Sequence, residues 1–90
     1  MLKPVYTRQF GRDVKRLQKR GRDMGKLKAI VRLLLEETPL DPLRRDLKLV
    51  GSYQGRRECH LEPDWLLIYK HEANAVIFER SGTHADLFRE

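Results

Sequence analysis

Two histidines and one acidic turn are the residues of this 90-residue chain best suited to chemistry: His60, His84 and the Asp64 of Pro63-Asp64. Histidine has an unperturbed pKa of about 6.5, so both its protonation states are accessible near neutrality. Two such groups could cleave a phosphodiester without a metal. One would take the proton of a 2′-hydroxyl, and the other would protonate the departing 5′-oxygen. A cation must also hold the negative phosphorane, and Arg56, Arg57 and Arg80 are at hand. In a regular strand Arg57 and His60 point to opposite faces, so Arg56, which shares parity with His60, is the better local candidate.

Each of these residues also has an ordinary structural reading. A histidine in a small protein is commonly a hydrogen-bonded structural group, and an aspartate after proline is a turn former. Trp65 opens an apolar strand, the place of a core residue. His71 lies in a charged turn and is given no role. The spacing of the histidines and Asp64 matches no metal-site signature, and no cofactor is implied. There is no P-loop, no Gly-rich dinucleotide motif and no nucleophile elbow. The lone cysteine, Cys59, excludes an internal disulfide and reads as a small buried hydrophobe.

The elements that must position these residues can be read from periodicity. Residues 3–6 read as a first strand, with Thr7 as the N-cap of a helix. Phe10, Val14 and Leu17 form an apolar stripe roughly 60° wide on that helix, with Arg12, Lys15, Arg16 and Lys19 opposite. Gly21 ends it. A second helix starts at Asp23 or Met24, and Met24, Leu27, Ile30, Val31, Leu34 and Leu35 cover roughly 140° of its surface. Thr38-Pro39 stops it, since a residue before proline is pushed out of the α region.

A long loop, 39–55, carries Pro42, Gly51 and Gly55. Three strands follow at 56–61, 65–70 and 75–80, joined by short turns and hence antiparallel. The expected fold is α+β in the order β-α-α-β-β-β. A helical hairpin packs on one face of an antiparallel sheet, and the other face is open to substrate. One domain, 1–90, is expected.

Charge is uneven along the chain. Residues 1–28 hold ten Lys/Arg and two Asp, a net +8, whereas 29–90 hold nine Lys/Arg and eleven Asp/Glu, a net −2. That asymmetry favours a polyanionic partner, nucleic acid before membrane, because no strongly apolar face accompanies it. The apolar runs fall far short of the roughly 18 residues needed to span a bilayer. No signal peptide is visible, so a cytoplasmic location is expected.

Most of the chain resembles the YafQ branch of the RelE/ParE toxin superfamily. The matching stretches run from Gly51 to His60, Glu62-Pro-Asp-Trp through Tyr69, Phe78-Glu-Arg-Ser-Gly-Thr-His84, and Leu87-Phe88. Arg12 to Lys28 is similar as well. The resemblance implies a toxin that cleaves mRNA on the ribosome. It further implies that His60, Asp64 and His84 act at the scissile phosphate, while Trp65 and Phe88 shape or stack against the RNA. Arg56 and Arg80 would assist binding, and Arg12, Lys15, Arg16 and Lys19 would meet ribosomal RNA. The implied partner is an acidic antitoxin with an N-terminal DNA-binding half, partly disordered when alone. Where the branch often has a further histidine in the loop, this chain has Leu47, with Lys48 beside it. Two alternatives stay open: a ParE-like inhibitor of gyrase on the same scaffold, and an RNA-binding module without activity.

Overall fold

The chain's ends and connections explain its architecture better than its strand count does. The structure, a computed structural model, describes residues 1–49 and 53–88; Gly51, one of the loop glycines, lies outside the described residues. Strand β1 spans Lys3–Tyr6 and helix α1 spans Arg8–Lys19. Helix α1 starts where expected, because the Thr7 hydroxyl accepts the Phe10 N–H at 3.0 Å. Its chain turns out at Gly21, whose φ of 78° suits glycine. Helix α2 spans Met24–Leu35, and its cap Asp23 accepts the Gly25 N–H at 2.8 Å. It ends three residues ahead of Thr38-Pro39, through a positive φ at Glu37.

The three expected strands are present as β3 (Arg57–Glu62), β4 (Trp65–His71) and β5 (Ala75–Gly82), paired antiparallel. Three features go beyond the expected order. Strand β1 pairs parallel with β5, because the whole helical hairpin lies between them and permits a long crossover. The long loop contributes a 3₁₀ turn at Pro42–Arg44 and a two-residue strand β2 (Leu47–Lys48) that pairs with β3. The C-terminal residues form a short helix, α3 (His84–Phe88). The sheet order is β1-β5-β4-β3-β2.

Alternation along the strands separates two apolar layers. Cys59, Leu61, Trp65, Leu67, Tyr69, Val76 and Phe78 face the helical hairpin and bury Phe10, Leu17, Leu27 and Ile30 against them. Each such side chain contributes on the order of 1.5–3 kcal/mol by leaving water. The opposite face is not open, as the sequence had suggested. Leu66 and Ile68 are fully buried there under Leu87 of α3, with Leu49, Tyr53 and Phe88 around them. Two residues with strand parity on an exposed face cannot both be leucine and isoleucine without a cover, and α3 supplies it. The loop is tethered by Asp46, which accepts from Arg57 Nε at 3.0 Å and from the Tyr69 hydroxyl at 2.8 Å.

Candidate active site

The sheet register brings His60 and His84 together. His60 pairs with Leu66, and Leu66 pairs with Gly82, two residues before His84. A bulge follows His60, Pro63-Asp64 makes the turn, and the chain leaving β5 bends into α3 beside it. The imidazole centroids of His60 and His84 lie 5.8 Å apart. Asp64 fixes His84 twice, accepting its backbone N–H at 2.9 Å and its ring Nδ1 at 2.6 Å. An ionised carboxylate can only accept, so Nδ1 carries the proton and Nε2 is the ring nitrogen that Asp64 does not engage. These bonds, the backbone one first, hold the Asp64 carboxyl below the usual carboxylate range.

His60 is the more enclosed histidine, its side chain 13% exposed against 53% for His84. Its Nε2 lies 3.8 Å from a Glu58 oxygen, and its buried Nδ1 has no hydrogen-bond partner. Each imidazole therefore has a carboxylate neighbour. An open cleft of about 400 Å³ adjoins His60, between Leu43, Arg44 and Arg45 on one side and Leu61 to Pro63 on the other. Leu47 pairs with Glu58 across β2 and β3, so the loop position that lacks a histidine borders the site.

Of the residues expected to bind substrate, Phe88 fits best. Its ring lies 6.2 Å from that of His84 and meets Tyr53 edge-on at 5.6 Å. Arg80 occupies the row next to His60, opposite Ile68. Its guanidinium is held by Asp13, with Nε and Nη2 donating at 2.8 and 3.2 Å. That bonding raises its already high pKa, so it is a permanent cation. Trp65 cannot stack on RNA: it is 0% exposed, and its indole N–H donates to the Ser81 hydroxyl at 3.0 Å. It shapes the site from beneath by pinning β5. Arg56 is displaced too. It lies four residues, roughly 13 Å of strand, from His60, and its Nε is paired with Glu79 at 3.1 Å.

Across residues 2–89 the chain matches the model of the bacterial toxins of type II toxin–antitoxin systems, YafQ. The chain belongs to the YafQ family. It is 50% identical over 84 residues to the mRNA interferase toxin YafQ of Escherichia coli K12, covering 92% of this chain and 91% of that one. It superposes on the toxin of the E. coli DinJ–YafQ toxin–antitoxin complex with a TM-score of 0.90, at 46% identity and 97% coverage of both chains. A metal-bound toxin from Helicobacter pylori is similar as well, with a TM-score of 0.91, 39% identity, and coverage of 98% and 100%. In this YafQ-family chain no three His, Cys, Asp or Glu side chains are grouped to hold an ion among the described residues.

The basic helix of this YafQ-family chain is less uniform than its sequence. Arg12, Lys15 and Lys19 are exposed, whereas Arg16 is half-buried and donates to Asp13 at 2.8 Å. Arg20 pairs with Asp86, and Arg22 and Lys26 both pair with Glu62. Glu58, Asp13 and Asp86 are the site neighbours that sequence reasoning missed. Glu58 was legible from its parity with His60, and Thr83-x-x-Asp86 from its capping-box spacing. Nothing local marks Asp13, an acid buried inside a cationic helix.

Proposed function

We propose that this chain is the toxin of an antitoxin-controlled pair and cleaves mRNA bound on the ribosome, without a metal. The observation that carries this reading is the facing of two imidazoles, each beside a carboxylate, with an open cleft bordering His60. A phosphodiester between them has a proton acceptor on one side and a donor on the other. His60, with Glu58 beside it, takes the 2′-hydroxyl proton as the 2′-oxygen attacks phosphorus. His84, its Nδ1 held by Asp64, donates from Nε2 to the 5′-oxygen as the P–O5′ bond breaks. The products are a 2′,3′-cyclic phosphate and a 5′-hydroxyl. Arg80 stabilises the phosphorane, and Phe88 offers an aromatic face to a base.

The E. coli relative's name, an mRNA interferase, supports RNA as the substrate, and favours cleavage over inhibition of gyrase or simple RNA binding. No step of this chemistry is routed through an ion, because two histidines supply both proton transfers. The site's shallowness supports ribosome dependence: His84 and Asp64 are more than half exposed, and an outside surface that orients the substrate would make up for the missing walls. Purified protein mixed with ribosomes holding a defined mRNA should cut within the occupied codon, in the presence of chelator. The same RNA free in solution should be cut poorly, and equal cutting of the two would defeat the ribosome requirement.

A further inference from the structure

Helix α3 carries His84 yet has only five residues, too few to hold a helix by its own hydrogen bonds. Its geometry must be imposed from outside. Asp86 gathers the constraints. Its Oδ2 accepts from the Thr83 N–H at 3.0 Å and from Arg20 Nη1 at 2.7 Å, and its Oδ1 from Arg20 Nη2 at 3.2 Å. Its own N–H donates to the Thr83 hydroxyl at 3.1 Å, completing a reciprocal cap around His84. The Asp86 side chain is 14% exposed. A Cβ at Gly82 would stand 2.8 Å from Asp86 Oδ2, so glycine there lets the carboxylate lie across the chain leaving β5. Arg20, the C-cap of α1, thus holds Asp86 directly and, through it, Thr83 on the other side of the His84 imidazole.

We propose that Arg20 and Asp86 are positioning residues: their fork-to-fork pair locks α3 to the end of α1 and thereby aims His84 at the scissile phosphate. The pair rests on the reading that His84 acts in RNA cleavage, and it adds a role for one arginine that the charge pattern assigns only to polyanion binding. Bidentate arginine–carboxylate geometry suits this task, since it fixes direction as well as distance. Asp64 then holds the His84 ring and N–H, while the clamp fixes the residues on either side of it, Thr83 and Asp86.

The test compares Arg20→Gln, Asp86→Ala, Gly82→Ala and Asp86→Glu with the wild type. Two readouts are used: single-turnover cleavage of ribosome-bound mRNA over a range of ribosome concentrations, and the imidazole proton resonances of His84. The clamp predicts that the first three lower the saturating rate by roughly 10- to 100-fold, the scale of a small misplacement of a reacting group. The half-saturating ribosome concentration should change far less. The His84 resonances should shift or broaden in step, and Asp86→Glu should restore both rate and resonances. If Arg20 instead serves RNA phosphates, Asp86→Ala would free it and tighten ribosome binding with the rate unchanged; that result overturns the clamp. So would a rate lost only together with the dispersed amide spectrum of β4 and β5, which would mark simple unfolding. Should the wild type fail to cut ribosome-bound mRNA, the functional reading fails, and the His84 resonances alone decide the clamp.

Discussion

His84 and His71 make opposite predictions from the same side-chain chemistry. His84 has a carboxylate at 2.6 Å and a second histidine facing it, whereas His71 lies 3.9 Å from an exposed Glu37 at the far end of β4. His84→Ala should reduce cleavage by roughly 10²–10⁴-fold, the range for a lost general acid or base. His71→Ala should leave it unchanged, as measured by primer extension on ribosome-bound mRNA. A substrate with sulfur in place of the 5′-oxygen has a leaving group that needs no protonation. On it, His84→Ala should recover most of its rate and His60→Ala should not; the reverse would exchange the two roles. Trp65 gives a different kind of prediction. Trp65→Phe removes the bond to Ser81 while keeping most of the buried ring, and should lower stability by on the order of 1 kcal/mol. Thermal melting should show that loss, with cleavage at saturating ribosomes nearly intact. At this scale the sequence showed the histidines and Asp64 because their types are unusual. It offered Trp65 both as a core residue and as one that shapes or stacks against RNA, because a resemblance lists a residue without saying which face of the strand it is on; the side chain is buried.

Helix α3 is the element on which the site depends most and the one the sequence hid. Five residues hold less than two turns, so they display no apolar periodicity, and only the Thr83-x-x-Asp86 spacing betrays them. The parallel pairing of β1 was hidden for another reason, since short-connection rules say nothing across a helical hairpin. The antiparallel meander was legible because its turns are short and its alternation clean. The docking of α3 also carries a pH signature. Arg20, and then the Thr83 bonds, hold the Asp86 carboxyl well below its ordinary range. A carboxyl depressed on folding stabilises the folded state fully above its unfolded pKa of about 3.9. The contribution fades progressively as pH falls from there and is gone once pH has fallen through the lower folded value. The protection of the amides of residues 83–88, relative to intrinsic exchange at each pH, should therefore hold steady down to about pH 4 and fall below it. In Arg20→Gln protection should already be weaker near neutrality and its fall in acid smaller, because the Asp86 carboxyl is less depressed; identical profiles would separate the ion pair from α3 docking.

For the whole molecule, charge is distributed in a way that net charge conceals. Several cations of the first 28 residues are spent on internal pairs with Asp13, Glu62 and Asp86; Arg12, Lys15 and Lys19 of α1 stay exposed, as do Lys3, Arg8 and Lys28. Reversing Arg12, Lys15 and Lys19 should weaken ribosome binding more than the chemical step, and the defect should shrink as salt rises, as phosphate contacts do. A salt-independent defect would point to another surface. Beside the same helix, a groove of about 200 Å³ opens between α1 and α2, lined by Tyr6, Phe10, Val14, Met24 and Val31. An acidic, partly disordered antitoxin would find apolar anchorage in this groove, with Lys28 at its edge, and opposite charge on the far face of α1. Hydrogen exchange on the complex should show protection across residues 8–28; protection confined to 56–88 would place the antitoxin over the histidines instead.

The chemistry of the cut ends tests the central claim most directly, because it reports the nucleophile and not merely the loss of intact RNA. Ribosome-bound mRNA cleaved by the wild-type protein in the presence of chelator should carry 2′,3′-cyclic phosphate on the upstream fragment and 5′-hydroxyl on the downstream one. Replacing the 2′-hydroxyl at the cut nucleotide by hydrogen should abolish cleavage. Fragments ending in 3′-hydroxyl and 5′-phosphate, or cleavage that survives loss of the 2′-hydroxyl, would contradict a site in which two facing histidines pass protons around an attacking ribose.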